Sequence, residues 1–159
     1  MKTWSEALRD GALSGSLASI ASTAVLAACS ELENGTPYAP TNATSHCFWG
    51  NKAMRQDGPS VRYTATGYGV HHLSAVFWAS LYEKLFGQEA DRGNTGPALM
   101  GGGAVAAFAC LVDYQLTPPR LRPGYEERLS KTALALVYGA LGASFAARGL
   151  FRRRRRLNL

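Results

Sequence analysis

Four stretches of the chain carry no Asp, Glu, Lys or Arg: 11–30, 63–82, 93–112 and 132–147. Each approaches the ~20 residues that an α-helix needs to cross the hydrocarbon core of a bilayer. With their flanks they predict spans over about 11–30, 63–83, 96–115 and 131–151, followed by a basic tail at 152–159. The expected fold class is all-α: a membrane-embedded four-helix bundle in one domain, 1–159. A soluble bundle of Ala-rich helices would need a charged face on each helix, and these stretches have none.

The segments differ in character. The third and fourth are rich in Ala, Leu, Val and Gly, the first is diluted by Ser and Thr, and the second contains His71 and His72. Small residues recur every four positions, as close helix packing in lipid requires. The seams are Gly11-Gly15-Ser19 with Ser22, Gly102-Ala106-Cys110 with Gly103-Ala107, and Ala135-Gly139-Ala143. Pro97 falls at the start of the third helix, where its missing N–H costs little.

Between the spans, the long loop 31–62 contains Pro37, Pro40, Trp49 and Gly50. Thr41-Asn42-Ala43-Thr44 predicts the cap of a short helix running toward Met54, with Phe48 and Trp49 lying along the membrane surface. The loop 83–92 is short and charged. Leu116-Thr117-Pro118-Pro119-Arg120 predicts a rigid turn, and Pro123-Gly124-Tyr125-Glu126-Glu127 a new helix start, with Glu126 and Glu127 as solvated charges. Tyr63, Tyr82, Tyr114 and Phe151 stand near segment ends, as interfacial aromatics do.

Composition changes the picture only through its distribution, since 47% hydrophobic residues is ordinary for a soluble protein. The net charge of +6 rests largely on Arg152, Arg153, Arg154, Arg155 and Arg156, with Arg148 one turn earlier. A basic run directly after an apolar helix reads as a cytoplasmic stop signal that attracts anionic lipid headgroups. Nucleic acid is not expected as a partner, because no aromatic-basic groove accompanies the run. Four spans then put both termini in the cytoplasm.

Three cysteines, Cys29, Cys47 and Cys110, leave no complete disulfide framework. Leu26-Ala27-Ala28-Cys29 looks like a lipobox, which would make Cys29 a lipidated N-terminus and remove the first helix. Against it, Glu6 and Asp10 balance Lys2 and Arg9 where a signal prefers positive charge, so Cys29 is read as part of a retained helix.

Helical spacing places Val70, Leu73, Phe77 and Leu81 on one apolar stripe, with Tyr68, His72, Ala75 and Ala79 opposite. His72 then points into the bundle, and His71 lies on its flank beside Gly67 and Trp78. Intramembrane polar groups face the interior and need partners. The candidate polar site is His71 and His72 hydrogen-bonded to Ser19, Ser22 or Thr23. A metal site is not expected, since adjacent histidines diverge by about 100° on a helix and no second helix supplies a ligand. Neither cofactor nor catalytic residues are evident.

The chain resembles the YagU-like inner-membrane proteins of bacteria in the order of its features: His71–Glu83 in the second helix, the Leu116-Thr117-Pro118-Pro119 turn, and Tyr125-Glu126 before the last helix. The resemblance implies a location more than a mechanism. The loop around His46-Cys47-Phe48-Trp49-Gly50 and the five-arginine tail depart from it. The expectation is a small multi-pass bacterial inner-membrane protein that is not an enzyme. It would act through lipid contacts, through copies of itself or through a membrane protein partner. The alternative is a transporter or channel subunit with a polar pathway at His72.

Overall fold

Helix α1 (Trp4–Asn34) begins seven residues before the uncharged stretch because a capping box starts it there. The Thr3 hydroxyl accepts from the Glu6 N–H and the Glu6 carboxylate accepts from the Thr3 N–H, satisfying two otherwise orphaned donors. Gly35, at φ 67°, ends the helix in the left-handed conformation. At 1.5 Å per residue α1 is about 46 Å long, more than a bilayer core requires. Its far end reaches the last helix: the Glu33 carboxylate accepts from the N–H and hydroxyl of Ser130, just before α7. A carboxylate there also complements the positive end of the helix dipole.

The computed structural model describes residues 1–157; the side chains of residues 152 and 154–157 lie outside that description. The chain continues through α2 (Ala39–Thr44), α3 (His46–Trp49), α4 (Thr66–Leu85), α5 (Gly87–Arg92), α6 (Thr95–Leu111) and α7 (Lys131–Leu157). A 3₁₀ turn covers Gly50–Arg55. A π-helical turn, Val61–Ala65, leads into α4, and another, Val112–Leu116, extends α6. No strand occurs among the described residues.

The four longest helices pack in the order α4–α1–α7–α6, with α6 also touching α4. The chain N-terminus, α5 and the C-terminal part of α7 lie at one end, here the tail end. The helices α2 and α3 and residues 117–130 cover the other, the loop end.

Three helices are long and apolar enough to cross a membrane: α1, Thr95–Leu116 and Lys131–Phe151. The second expected span, α4, is not among them, so the expected four-span bundle stands as three apolar helices with α4 packed against them. The arrangement of side chains is compatible with a membrane protein. Leu13, Leu17 and Ile20 of α1 face outward while Ser14, Ser19 and Ser22 are buried. On α4, Leu73 and Phe77 are 70% and 63% exposed and Ala75 and Ala79 are buried, the stripe expected from helical spacing.

Glycine contacts decide which seams pack. A Cβ on Gly11 would meet the Ser80 backbone at 2.6 Å, and one on Gly15 the Val76 backbone at 2.5 Å, so the α1 seam faces α4. A Cβ on Gly102 would overlap the Gly142 carbonyl oxygen, which sets the α6–α7 contact. The expected seam Ala135-Gly139-Ala143 is a correction: all three residues are exposed, and α7 buries Tyr138, Gly142 and Ala146 instead. Gly103 and Ala107 also face outward. Spacing alone repeats on every face of an Ala- and Gly-rich helix, so it does not select one.

The first loop differs from expectation too. The helix starts at Ala39, and Thr41–Thr44 lie buried inside α2 rather than capping it. A Cβ on Gly67 would overlap the Thr41 carbonyl, so α2 sits directly on the start of α4. Phe48 and Trp49 remain exposed beyond it, and the Arg62 guanidinium stacks 4.2 Å over the Trp49 ring. Tyr82, expected at an interface, is fully buried and stacks on Phe86 and Phe145, because its ring faces α6 and α7.

Candidate functional site

Two polar assemblies occupy the interior, one at each end. The loop-end assembly is built on the histidines. His72 Nδ1 lies 2.8 Å from Ser19 Oγ, and His71 Nε2 lies 2.9 Å from Ser22 Oγ. Both serines belong to α1, and they are buried there because the Gly11-Gly15 seam brings α1 onto α4. Thr23 is half-buried and bonds to neither ring.

The other nitrogen of His71 meets a residue from a distant loop. Tyr125, in the 3₁₀ turn Tyr125–Glu127, is buried, and its Oη lies 2.6 Å from His71 Nδ1. The proton assignment follows from the partners. Ser22 already donates to the Ala18 carbonyl at 2.7 Å, so it accepts from His71 Nε2–H. His71 Nδ1 then accepts from the Tyr125 hydroxyl, and a neutral ring satisfies every group. Tyr125 is thus no solvated turn residue, and burial pushes its phenol well above the usual value. The neighbouring Glu126 has one buried carboxylate oxygen without a partner.

Beside this chain of bonds, α4 and α6 close on each other through Trp78 and Phe108, edge to face at 5.8 Å, and through Tyr82 Oη donating to the Ala98 carbonyl. On the loop side of Trp78 the space between α4, the end of α6 and α7 is a cavity of about 70 Å³. His71, Ser74, Trp78, Asp113, Tyr125 and Tyr138 line it, with Arg122 among the loop residues at its edge. Tyr138 Oη donates to Asp113 Oδ2 at 2.5 Å. The π-helical turn after α6 carries Asp113, and such turns recur at functional positions. His72 does not line this cavity. Trp78 and Leu141 line it together with exposed Ser74, so it reaches the outer face of α4 as well as the loop residues.

The tail-end assembly is ionic. Lys2 Nζ sits 2.8 Å from Asp10, 2.5 Å from Glu83 and 2.8 Å from Asp91. Arg148 adds a 2.7 Å bond to Asp10 and stands 3.6 Å from Glu83. The Lys2, Asp10 and Glu83 side chains are only 6%, 3% and 2% exposed. Burial alone would lower the Lys2 ammonium, but hydrogen bonds to Asp10, Asp91 and Glu83 outweigh it and hold the group above the ordinary lysine value. The first residues are tied down further: the N-terminal amine donates to Gln88, and Lys84 Nζ donates to the Lys2 carbonyl.

Arg148, one turn before the basic tail in the sequence, turns inward to Asp10. Arg153 alone of the tail has a described side chain. It lies against Gly93 and borders a groove of about 430 Å³ formed with Leu99, Ala143, Leu150 and Phe151. Arg152, Arg154, Arg155 and Arg156 lie outside the described side chains. No cluster of three or more His, Cys, Asp or Glu fit to hold a metal occurs among the described residues.

Sequence reasoning missed Asp113, Tyr125, Tyr138 and the whole ionic cluster. Asp10 and Glu83 at the edges of uncharged stretches were the available signal, but nothing local names their partners. Compared with known proteins, the chain matches no family model, no curated protein and no solved structure.

Proposed function

We propose that this chain is a four-span protein of the bacterial inner membrane, with α4 as the fourth span, that works by contact with lipid and protein rather than by catalysis. The observation that carries the reading is the pairing of α4 with α1. The two helices touch from Gly11–Ser80 to Ser22–His71. An α1 that crosses the bilayer therefore takes α4 with it. His71, His72 and Glu83 of α4 turn inward to Ser22, Ser19 and the Lys2–Arg148 cluster, while Leu73 and Phe77 meet lipid, so low average hydropathy is no obstacle.

Retention of α1 supports a multi-pass protein over a lipoprotein. Removing residues before Cys29 would strip Lys2 and Asp10 from the ionic cluster and Ser19 and Ser22 from the histidines. Arg153 beside an apolar groove supports contact with anionic headgroups. The outward-facing Gly103-Ala107 and Gly139-Ala143 pairs suit a second copy or another membrane helix. The order of its features resembles that of the YagU-like inner-membrane proteins, and that resemblance supports the inner-membrane reading. The transporter alternative draws its support from the loop-end cavity, although His72 does not line it.

Orientation is tested with single cysteines at Asn51 and Thr95 in a chain whose native cysteines are replaced. Both positions are exposed. An impermeant maleimide applied outside spheroplasts should label Asn51→Cys and spare Thr95→Cys until the membrane is opened. The reverse pattern, or extraction of the protein without detergent, would sink the reading.

A further inference from the structure

We propose that the loop-end cavity holds the headgroup of a primary-amine zwitterionic phospholipid, with the ammonium inside against Asp113 and the phosphate at the mouth against Arg122. This rests on the four-span reading, since such a headgroup meets the cavity only if α4 and α6 stand in a bilayer.

Size is the first argument. Pockets that enclose a whole small molecule run to about 300–1,000 Å³; about 70 Å³ admits a small head and leaves the rest of the ligand outside. Charge is the second. The cavity is lined by one carboxylate and one guanidinium, Asp113 and Arg122. Tyr138 occupies Asp113 Oδ2 and leaves Oδ1 without a donor among the described residues. Arg122 spends its Nε on the Thr117 carbonyl and keeps its terminal N–H groups. A simple cation would meet Arg122 and a simple anion Asp113, whereas a zwitterion satisfies both. Arg120, Glu126 and Glu127 face the adjoining pocket, which Arg122 also lines, so both signs continue at the mouth.

The walls suit an ammonium. Trp78, Tyr125 and Tyr138 present aromatic rings, which attract cations, and the free Asp113 oxygen requires an N–H donor that a quaternary amine lacks. Ser74 stands exposed on the rim between exposed Leu73 and Phe77, an apolar surface along which acyl chains can run.

The test uses the full chain, purified in detergent and titrated with phosphatidylethanolamine, phosphatidylcholine and phosphatidylglycerol under native mass spectrometry. The ethanolamine lipid should bind about tenfold more tightly than the other two, the difference expected of one charge-assisted hydrogen bond. Asp113→Asn should erase the preference over phosphatidylcholine. Arg122→Gln, checked for an unchanged melting temperature, should weaken the ethanolamine lipid about tenfold. Equal affinity for all three lipids in the unaltered chain would overturn the proposal, as would an unchanged preference in both variants. Soluble phosphoethanolamine binding as tightly as the lipid would overturn the bilayer as its source. The labelling experiment above fails separately if the spans are wrong.

Discussion

Replacing Lys2 with methionine tests the ionic cluster most directly. In the native protein two buried cations, Lys2 and Arg148, face three carboxylates, Asp10, Glu83 and Asp91. Methionine keeps the length of the side chain and removes its charge, leaving Asp91 without its cation and Asp10 and Glu83 to Arg148, with exposed Arg9 beside Asp10. Removing one partner of a buried pair typically costs about 3–5 kcal/mol, because the remaining charge has lost its water and its counterion. Lys2 contacts three carboxylates at once, while half-exposed Asp91 can turn to solvent, so the expected loss stays within that range. Glu83→Gln alone should cost less, about 1 kcal/mol, since Gln still offers Lys2 an acceptor. The double variant restores the original balance of charge. Its cost should therefore fall at least about 1 kcal/mol below the sum of the two single losses. Equilibrium unfolding in mixed micelles, followed by helix ellipticity, measures all three. A Lys2→Met loss under about 1 kcal/mol, typical of an exposed pair, would refute the reasoning, as would strict additivity.

Four further outcomes follow from the geometry. Gly102→Leu should lower the melting temperature sharply or abolish folding, since even a Cβ would collide with the Gly142 carbonyl, while Gly139→Leu, facing outward, should leave the monomer's melting temperature unchanged. Tyr125→Phe removes the donor to His71 Nδ1 and should cost about 1–3 kcal/mol in the same unfolding assay, the range for an orphaned buried acceptor. The Lys2 ammonium is held above the ordinary lysine value of 10.5, so its contribution is complete below that pH and is lost as pH rises past the folded-state value; melting temperature should fall in that alkaline window, and Lys2→Met should remove that part of the fall. In liposomes the protein should give no proton or small-solute flux above background, and flux that disappears in His72→Ala would establish the transport alternative instead.

Much of the fold was legible in the chain because it depends on local chemistry. Uncharged stretches, the Pro-Pro turn and the α1 glycine seam marked three apolar helices and one close contact. The inward face of α4 follows from 100° periodicity, which turns His72 toward the bundle; that Ser19 rather than Ser22 or Thr23 meets it depends on how α1 crosses α4. Where composition is uniform, as on α7, periodicity had nothing to discriminate, and the packed face turned out to be the one bearing Tyr138 and Gly142.

The sequence by itself determined that this protein is helical, apolar in blocks, and obliged to find partners for two histidines. Only the tertiary structure decided who those partners are. Lys2 meets Arg148's cluster across almost the whole chain, and Tyr125 reaches His71 from a loop 54 positions away. Buried polar groups must pair, but the pairing is a property of where helices cross, and no spacing within one helix encodes it.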